Sequence, residues 1–159
     1  MIQLRKVNAQ NIWDIVALEV QEYQKSFVVT NTKSILEAYC AIADGGVAMP
    51  FGIYDGETPV GFLMIGYGDD DWEDAPKIAA GNYSLWRLMI DKHHQRKGYG
   101  KAAMEAALAL IRSFPVGEAE FCFLSYEPEN TAAKDLYHSF GFRENGEMDG
   151  SERIAVLKL

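Results

Sequence analysis

The residues best suited to chemistry lie in Gln95-Arg96-Lys97-Gly98-Tyr99-Gly100-Lys101, a basic turn with two glycines just ahead of an Ala-rich helical pattern. Glycine lets a backbone approach a bulky anion, and the free N–H groups and dipole of a following helix favour negative charge. The turn is therefore a phosphate cradle in outline. Neither common nucleotide fingerprint fits it, because the dinucleotide spacing lacks its third glycine and Lys101 is followed by Ala102 rather than Ser or Thr. That disfavours nucleotide triphosphate hydrolysis.

A second feature is Asp69-Asp70-Asp71-Trp72-Glu73-Asp74, five acids in six residues, which no core can hold. It reads as a solvated loop or as a cation-attracting rim with Trp72 placed to stack on an alkylammonium. His93, His94 and His138 have no metal-ligand spacing with one another or with a cysteine, so no metal is expected. Cys40 and Cys122 each sit in an apolar pattern without Cys-x-x-Cys spacing, and read as buried free thiols in a reducing compartment. The net charge is −8, so the basic turn is a local exception on an acidic molecule. Extended nucleic-acid binding is disfavoured and a cationic partner is welcome. A chain of 159 residues with 48% hydrophobic content fits one globular domain, 1–159. The N-terminus has no apolar signal segment and no run is long enough to span a membrane, which predicts a cytoplasmic protein with no membrane partner.

The elements that must position these residues follow from periodicity. Residues 2–7 alternate as a strand. Asn8 is a plausible N-cap for a helix through about Glu22, with Ile12, Ile15, Val16 and Leu18 at helical spacing and Asp14, Glu19 and Glu22 around it as a solvated face. Ser26–Asn31, with its run Phe27-Val28-Val29-Thr30, is read as a loop between helices or as a short strand. A second helix is expected from about Lys33 to Asp44, its apolar side formed by Ile35, Leu36, Tyr39, Cys40 and Ile42, and Gly45-Gly46 ends it. Ala48–Tyr54 and Pro59–Tyr67 flank Asp55-Gly56, a hairpin signal. Tyr83–Asp91 is the central strand, and Ala103, Ala107, Leu110, Ile111 and Phe114 mark one face of the helix after the turn. Glu118–Tyr126 is too continuously apolar for a half-exposed strand and should be covered on both faces. A last helix opens at Asn130, packs through Ala133, Leu136, Tyr137 and Phe140, and ends at Gly141. Phe142–Glu147 and Arg153–Leu159 complete the chain as strands around a turn near Asp149-Gly150. The order β-α-α-β-β-β-α-β-α-β-β makes this an α/β (α+β) protein.

That order, with a Gln-x-x-Gly-x-Gly turn after the fourth strand, Glu127-Pro128-Glu129-Asn130 opening a helix, and Leu136-Tyr137 followed by Phe140-Gly141-Phe142, resembles the GCN5-related N-acetyltransferases over essentially the whole chain. Within that family the stretch from Tyr83 to Gly100 looks most like the bacterial spermine/spermidine acetyltransferases. The resemblance implies a mixed, mostly antiparallel sheet of about six to seven strands flanked by about four helices. It implies acetyl-coenzyme A as co-substrate, its diphosphate on the backbone of Arg96, Lys97, Gly98, Tyr99, Gly100 and Lys101 behind Gln95. The pantetheine arm would pair with Leu88, Met89 and Ile90 as an added strand. Asn130 and Tyr137 are seven residues apart, two turns, so that if both are helical they face one side, toward the same cofactor. On spacing alone Tyr137 is a core aromatic; the resemblance makes it the general acid that protonates the departing thiolate.

An alkylammonium must lose a proton before it can attack, so a base or a water chain is needed. Some polyamine acetyltransferases carry a Glu on the fourth strand where this chain has Trp86. Glu22, Glu37, Asp70 and Glu73 are the alternatives by location, with Trp72 and Trp86 available to contact the acceptor. The implied reaction is direct attack of a primary amine, a polyamine such as spermidine or spermine, on the thioester. Other acceptors are a protein or peptide amine and an aminoglycoside; a reading of another class is a catalytically silent acyl-coenzyme A binding module. Many members of the family are dimers, which implies a homodimer here.

Overall fold

Seven strands, most of them rich in aromatic and branched residues, assemble into one sheet around the central segment Tyr83–Ile90. The computed structural model describes residues 1–69 and 72–159. The strands are β1 (Ile2–Lys6), β2 (Val47–Asp55), β3 (Thr58–Tyr67), β4 (Tyr83–Ile90), β5 (Phe121–Tyr126), β6 (Arg143–Asp149) and β7 (Glu152–Lys158). Their spatial order is β1-β2-β3-β4-β5-β7-β6. Every neighbouring pair is antiparallel except β4 and β5. Four helices flank the sheet: α1 (Ile12–Val16), α2 (Asn31–Ala43), α3 (Tyr99–Arg112) and α4 (Thr131–Ser139). This is the mixed, mostly antiparallel architecture and element order expected from the sequence.

The sheet is covered on both faces. On one, Ala103, Met104, Ala107 and Ile111 of α3 and Tyr137 of α4 pack on Leu63, Ile65, Tyr83, Leu85 and Leu124. On the other, Ile15 of α1 and Ala38 of α2 pack on Phe62, Met64 and Met89. β5 serves both faces, Cys122 and Leu124 on the first and Phe123 beside Ala79 and Ile154 on the second, as its continuous apolar run predicts.

β4 changes phase part way along. Met64 pairs with Arg87 and Ile65 with Leu85, so Trp86 is an extra residue with no partner on β3. Such a bulge turns the alternation over. Tyr83 and Leu85 face α3, whereas beyond Trp86 it is Leu88 and Ile90 that pack on that side and Met89 on the other.

The N-terminal third departs from expectation. A helix from Asn8 through about Glu22 does not form; α1 covers only Ile12–Val16, and a single 3-10 turn follows at Glu22–Gln24. Local bonds hold the start out of helix: the Gln10 N–H donates to Asn8 Oδ1 at 2.9 Å and the Asn8 N–H to Asn11 Oδ1 at 2.8 Å. Tertiary bonds then override propensity. The Glu19 N–H donates to Asp91 Oδ1 at 3.0 Å, and the Glu19 carbonyl accepts from the Lys92 N–H at 2.7 Å, drawing the chain out along the end of β4. Burial alone would raise the Asp91 carboxyl, but the N–H donors of Glu19 and His93 outweigh it and hold it below its ordinary value.

In α2 the buried residues are Asn31, Ser34 and Ala38, not the larger apolar set. Small side chains let the helix lie close on the sheet, and Asn31 Nδ2 donates to the Ile15 carbonyl at 2.9 Å. Leu36, Tyr39 and Ile42 are exposed, and Cys40, expected to be buried, is exposed as well. Cys122 is buried, which pushes its thiol up to about 12.

One glycine is indispensable to the central pairing. A Cβ on Gly61 would meet the Met89 carbonyl oxygen, with Ile90 Cδ1 at 3.0 Å and Ile53 Cδ1 at 3.1 Å. Gly61 pairs with Ile90, so relief would require parting β3 from β4. Gly61→Ala is expected to cost about 2 to 3 kcal/mol, read as a lower midpoint in urea unfolding at unchanged slope.

Candidate active site

β4 and β5 pair only through Tyr83 with Cys122 and Ser84 with Phe123. Past those residues the parallel strands part, and the edge of β4 that faces β5 has no strand partner among the described residues. Into this gap opens a cleft of about 890 Å³, floored by β4 and β5 and bounded by α2, the turn before α3, and α4. An extended ligand can add to such an edge by main-chain hydrogen bonds. Leu88, Met89 and Ile90 all border the cleft.

At one end of the cleft stands the basic turn. Arg96 and Gly98 both adopt left-handed backbone, with φ of 61° and 84°. For Gly98 this costs little; for Arg96 it stores on the order of 1 kcal/mol of strain. Gly98 is the N-cap of α3 and no side chain caps that helix. The N–H groups of Tyr99, Gly100 and Lys101, the first turn of a 14-residue helix, therefore lack intrahelical acceptors. A Cβ added to Gly98 would touch nothing within 4 Å, so the space beside the backbone here is open. An uncapped helix start beside open space suits a phosphate, which answers the donors and the dipole together.

The side chains around the turn mostly hold it in place. The Tyr99 hydroxyl donates to Asp55 Oδ2 at 2.6 Å, which raises the phenol and lowers the carboxyl, each through that bond first. Gln95 Nε2 donates to the Ile90 carbonyl at 3.0 Å and to Gln24 Oε1 at 2.8 Å, tying the 3-10 turn to the end of β4. Gln95, Arg96, Gly98, Tyr99 and Gly100 border the cleft; Lys97, bonded to the His93 carbonyl at 3.2 Å, and Lys101 do not.

Asn130 and Tyr137 both border the cleft, Asn130 as the N-cap of α4 and not within the helix. Asn130 caps α4 through Oδ1, which accepts from the Ala133 N–H at 3.4 Å. Tyr137 is 8% exposed, packed against Tyr126 and Phe142 at centroid distances of 5.9 and 6.3 Å. Burial first, then the negative charge of Glu152, pushes its phenol up to about 12. It is protonated at every physiological pH and can act as a proton donor.

The proposed acceptor residues divide. Trp86, Trp72 and Glu37 border the cleft. Glu37 is already engaged, with Arg87 Nη2 at 2.8 Å and Lys33 Nζ at 4.0 Å. Glu22 and Glu73 are not brought to the cleft; Glu22 is exposed and pairs with Lys25 at 2.8 Å. Asp70 lies outside the described residues. Asp69, its neighbour in the acidic loop, does border the cleft.

Among the polar residues of the wall that the sequence does not single out are Arg87, Ser125, Asp149 and Glu152. The last two flank the β6–β7 turn, where sequence shows only turn chemistry, and they pair across that hairpin. The Ser125 hydroxyl donates to Glu152 Oε2 at 2.7 Å. Burial is the main cause holding the Glu152 carboxyl above its ordinary value; the negative charges of Asp149 and Glu127 add to it, while the Ser125 bond and Arg87 oppose it.

His93 bonds Asp91, His94 stacks edge-on to Tyr99 and His138 lies beside Tyr126. Among the described residues no group of three His, Cys, Asp or Glu is arranged to hold a metal ion, and no helix is long and apolar enough to cross a membrane.

The sequence pattern of the acetyltransferase (GNAT) family matches residues 12–142. A probable spermine N(1)-acetyltransferase of Bacillus subtilis subsp. natto is 32% identical over 159 residues, 99% of either chain. A spermine/spermidine N(1)-acetyltransferase of Bacillus subtilis strain 168 is 31% identical over the same span, again 99% of both chains. The crystal structure of the PaiA N-acetyltransferase of Thermoplasma acidophilum in complex with coenzyme A superposes with a TM-score of 0.65 at 18% identity, covering 100% of this chain and 99% of that one. A splayed β4–β5 pair, an uncapped helix start and a buried tyrosine in one cleft thus coincide with full-length sequence similarity, and the chain belongs to the GNAT family of N-acetyltransferases.

Proposed function

We propose that the protein transfers the acetyl group of acetyl-coenzyme A to a primary amine of a polyamine, spermidine or spermine. The observation that carries this reading is the single cleft in which the uncapped N-terminus of α3, the free edge of β4 and the Tyr137 phenol meet. The N–H groups from Gly98 to Lys101 bind the diphosphate. The edge of β4 at Leu88–Ile90 orients the pantetheine arm, and an N–H of that edge polarises the thioester carbonyl. Asn130 and Tyr137 close the cleft around the reacting end, where Tyr137 donates the proton that the leaving sulfur takes up.

The polyamine acceptor is supported by the two full-length relatives named for spermine or spermidine, and by an acidic chain whose Asp69, Asp149 and Glu152 border the cleft. Trp72 and Trp86 offer ring faces to an alkylammonium. Two free thiols fit a reducing cytoplasm, and exposed Trp13 and Tyr39 fit a homodimer, for which light scattering at micromolar concentration should give twice the chain mass.

The test is thiol release from acetyl-coenzyme A with purified protein and a panel of polyamines, amino acids, peptides and aminoglycosides. Spermidine and spermine should give the highest kcat/KM, at least tenfold above the other amines. Turnover confined to peptides or aminoglycosides would overturn the acceptor, and no turnover with any amine would leave a silent binder.

A further inference from the structure

We propose that Glu152 is the catalytic residue that receives the acceptor ammonium and removes its proton, held by its hydrogen bond from Ser125. This rests on the function proposed above and assigns the base that the reaction requires. The position usually considered for a carboxylate on the fourth strand is the bulged Trp86, which cannot take up a proton. Glu37 lines the cleft but is neutralised by Arg87, and Glu22 and Glu73 do not reach it. Glu152 borders the cleft, is half-buried, and accepts only one hydrogen bond among the described residues, from Ser125. Its remaining lone pairs are open to an incoming N–H donor.

The placement also matches the acid. Tyr137 on α4 and Glu152 at the start of β7 border the same cleft, and the charge of Glu152 is felt at the Tyr137 phenol. A carboxylate to take a proton and a phenol to give one thus share one cleft. Ser125 of β5 is bonded to Glu152 and Asp149 of β6 pairs with it across the hairpin; the charges of Glu127 after β5 and Arg87 of β4 act on it, and its own charge acts on Tyr137 of α4. Burial first, and then the two acids, hold its carboxyl up, which narrows the gap to an alkylammonium of about 10 and makes it a better base than an exposed glutamate.

The protons balance. Glu152 takes one proton from the ammonium, and the freed lone pair forms the C–N bond at the thioester carbonyl. The C–S bond breaks with its electron pair going to sulfur, which takes a proton from Tyr137. The nitrogen sheds its second proton, which restores the Tyr137 phenol through water. Glu152 then releases its proton to solvent, so one proton leaves per turnover.

Glu152→Gln keeps the shape and the Ser125 contact but cannot accept a proton. With spermidine at pH 7 its kcat is expected to fall at least 100-fold, while the Kd for acetyl-coenzyme A by calorimetry and the melting temperature stay at wild-type values. The acid limb of the wild-type kcat–pH profile should vanish in this variant. Ser125→Ala provides the second reading. It removes a donor that favours the charged carboxylate, so the Glu152 pKa rises and the acid limb moves to higher pH, a displacement that loss of packing would not produce. A Glu152→Gln enzyme with wild-type kcat and an intact acid limb would overturn the assignment while leaving polyamine acetylation by the wild type standing. Loss of acetyl-coenzyme A affinity together with kcat would make Glu152 a structural residue and overturn it too. A wild type inactive on every polyamine would remove the acceptor reading and this assignment together.

Discussion

Tyr137→Phe should lower kcat 100- to 1,000-fold while leaving the Kd for acetyl-coenzyme A within about twofold of wild type. The hydroxyl is the sole atom removed, so the ring keeps its contacts with Tyr126 and Phe142 and the wall of the cleft survives. The magnitude follows from what the hydroxyl does. A phenol pushed up to about 12 is a weaker acid than a thiol of about 8.5, so it cannot drive the C–S bond apart by early protonation. It stabilises sulfur as the bond breaks, and its proton crosses late, replaced by the one the attacking nitrogen releases. The sign on the pH axis is fixed by the same shift. A general acid works only while protonated, so the basic limb from Tyr137 lies near its raised pKa, and kcat should show no fall assignable to this group up to about pH 10. Full activity in the Phe variant would remove Tyr137 from the chemistry. The substitution also separates an enzyme from a silent binder, which would lose nothing.

Much of this site is written locally and could be read locally. The turn, the helix it opens and the Asn130–Tyr137 pair each depend on spacings within one element, and these the structure brings to one cleft. What escaped depends on contacts between segments far apart in sequence. The β4 bulge is a register mismatch with β3, and no residue type at Trp86 announces it. Glu152 looks like turn punctuation until β7 pairs with β5 and sets it beside Ser125. The helix expected through Glu22 fails for a related reason: its apolar spacing is real, but the Glu19 backbone is claimed by Asp91 and Lys92 some seventy residues away. In α2 the apolar spacing is also real, yet the sheet accepts the small face of Ser34 and Ala38 and leaves the large one outward, where Leu36 and Cys40 border the cleft. Periodicity finds the face that could be buried. It does not say which face a neighbour has room for.

Gly98→Asp should raise the KM for acetyl-coenzyme A about 100-fold, and Gly98→Asn no more than about tenfold. Both residues tolerate left-handed backbone better than other side chains, so at φ 84° each carries similar strain, and neither Cβ meets a neighbour within 4 Å. The difference between them is charge. A carboxylate at the start of α3 would satisfy the helix dipole from within and repel the diphosphate expected there, whereas a carboxamide adds bulk alone. About 2.7 kcal/mol separates a hundredfold change from none, which is the scale of two charge-assisted hydrogen bonds lost at a partly exposed site. Because such repulsion is screened, the Asp penalty should shrink at high salt while the Asn penalty holds steady. Equal penalties in both variants would mean that the turn contributes shape and not its N–H donors. An Asp variant with wild-type KM would move the diphosphate away from α3 altogether. The acetyl acceptor offers the internal control: if the turn serves only the donor substrate, spermidine KM at saturating acetyl-coenzyme A should be the same in both variants and in the wild type.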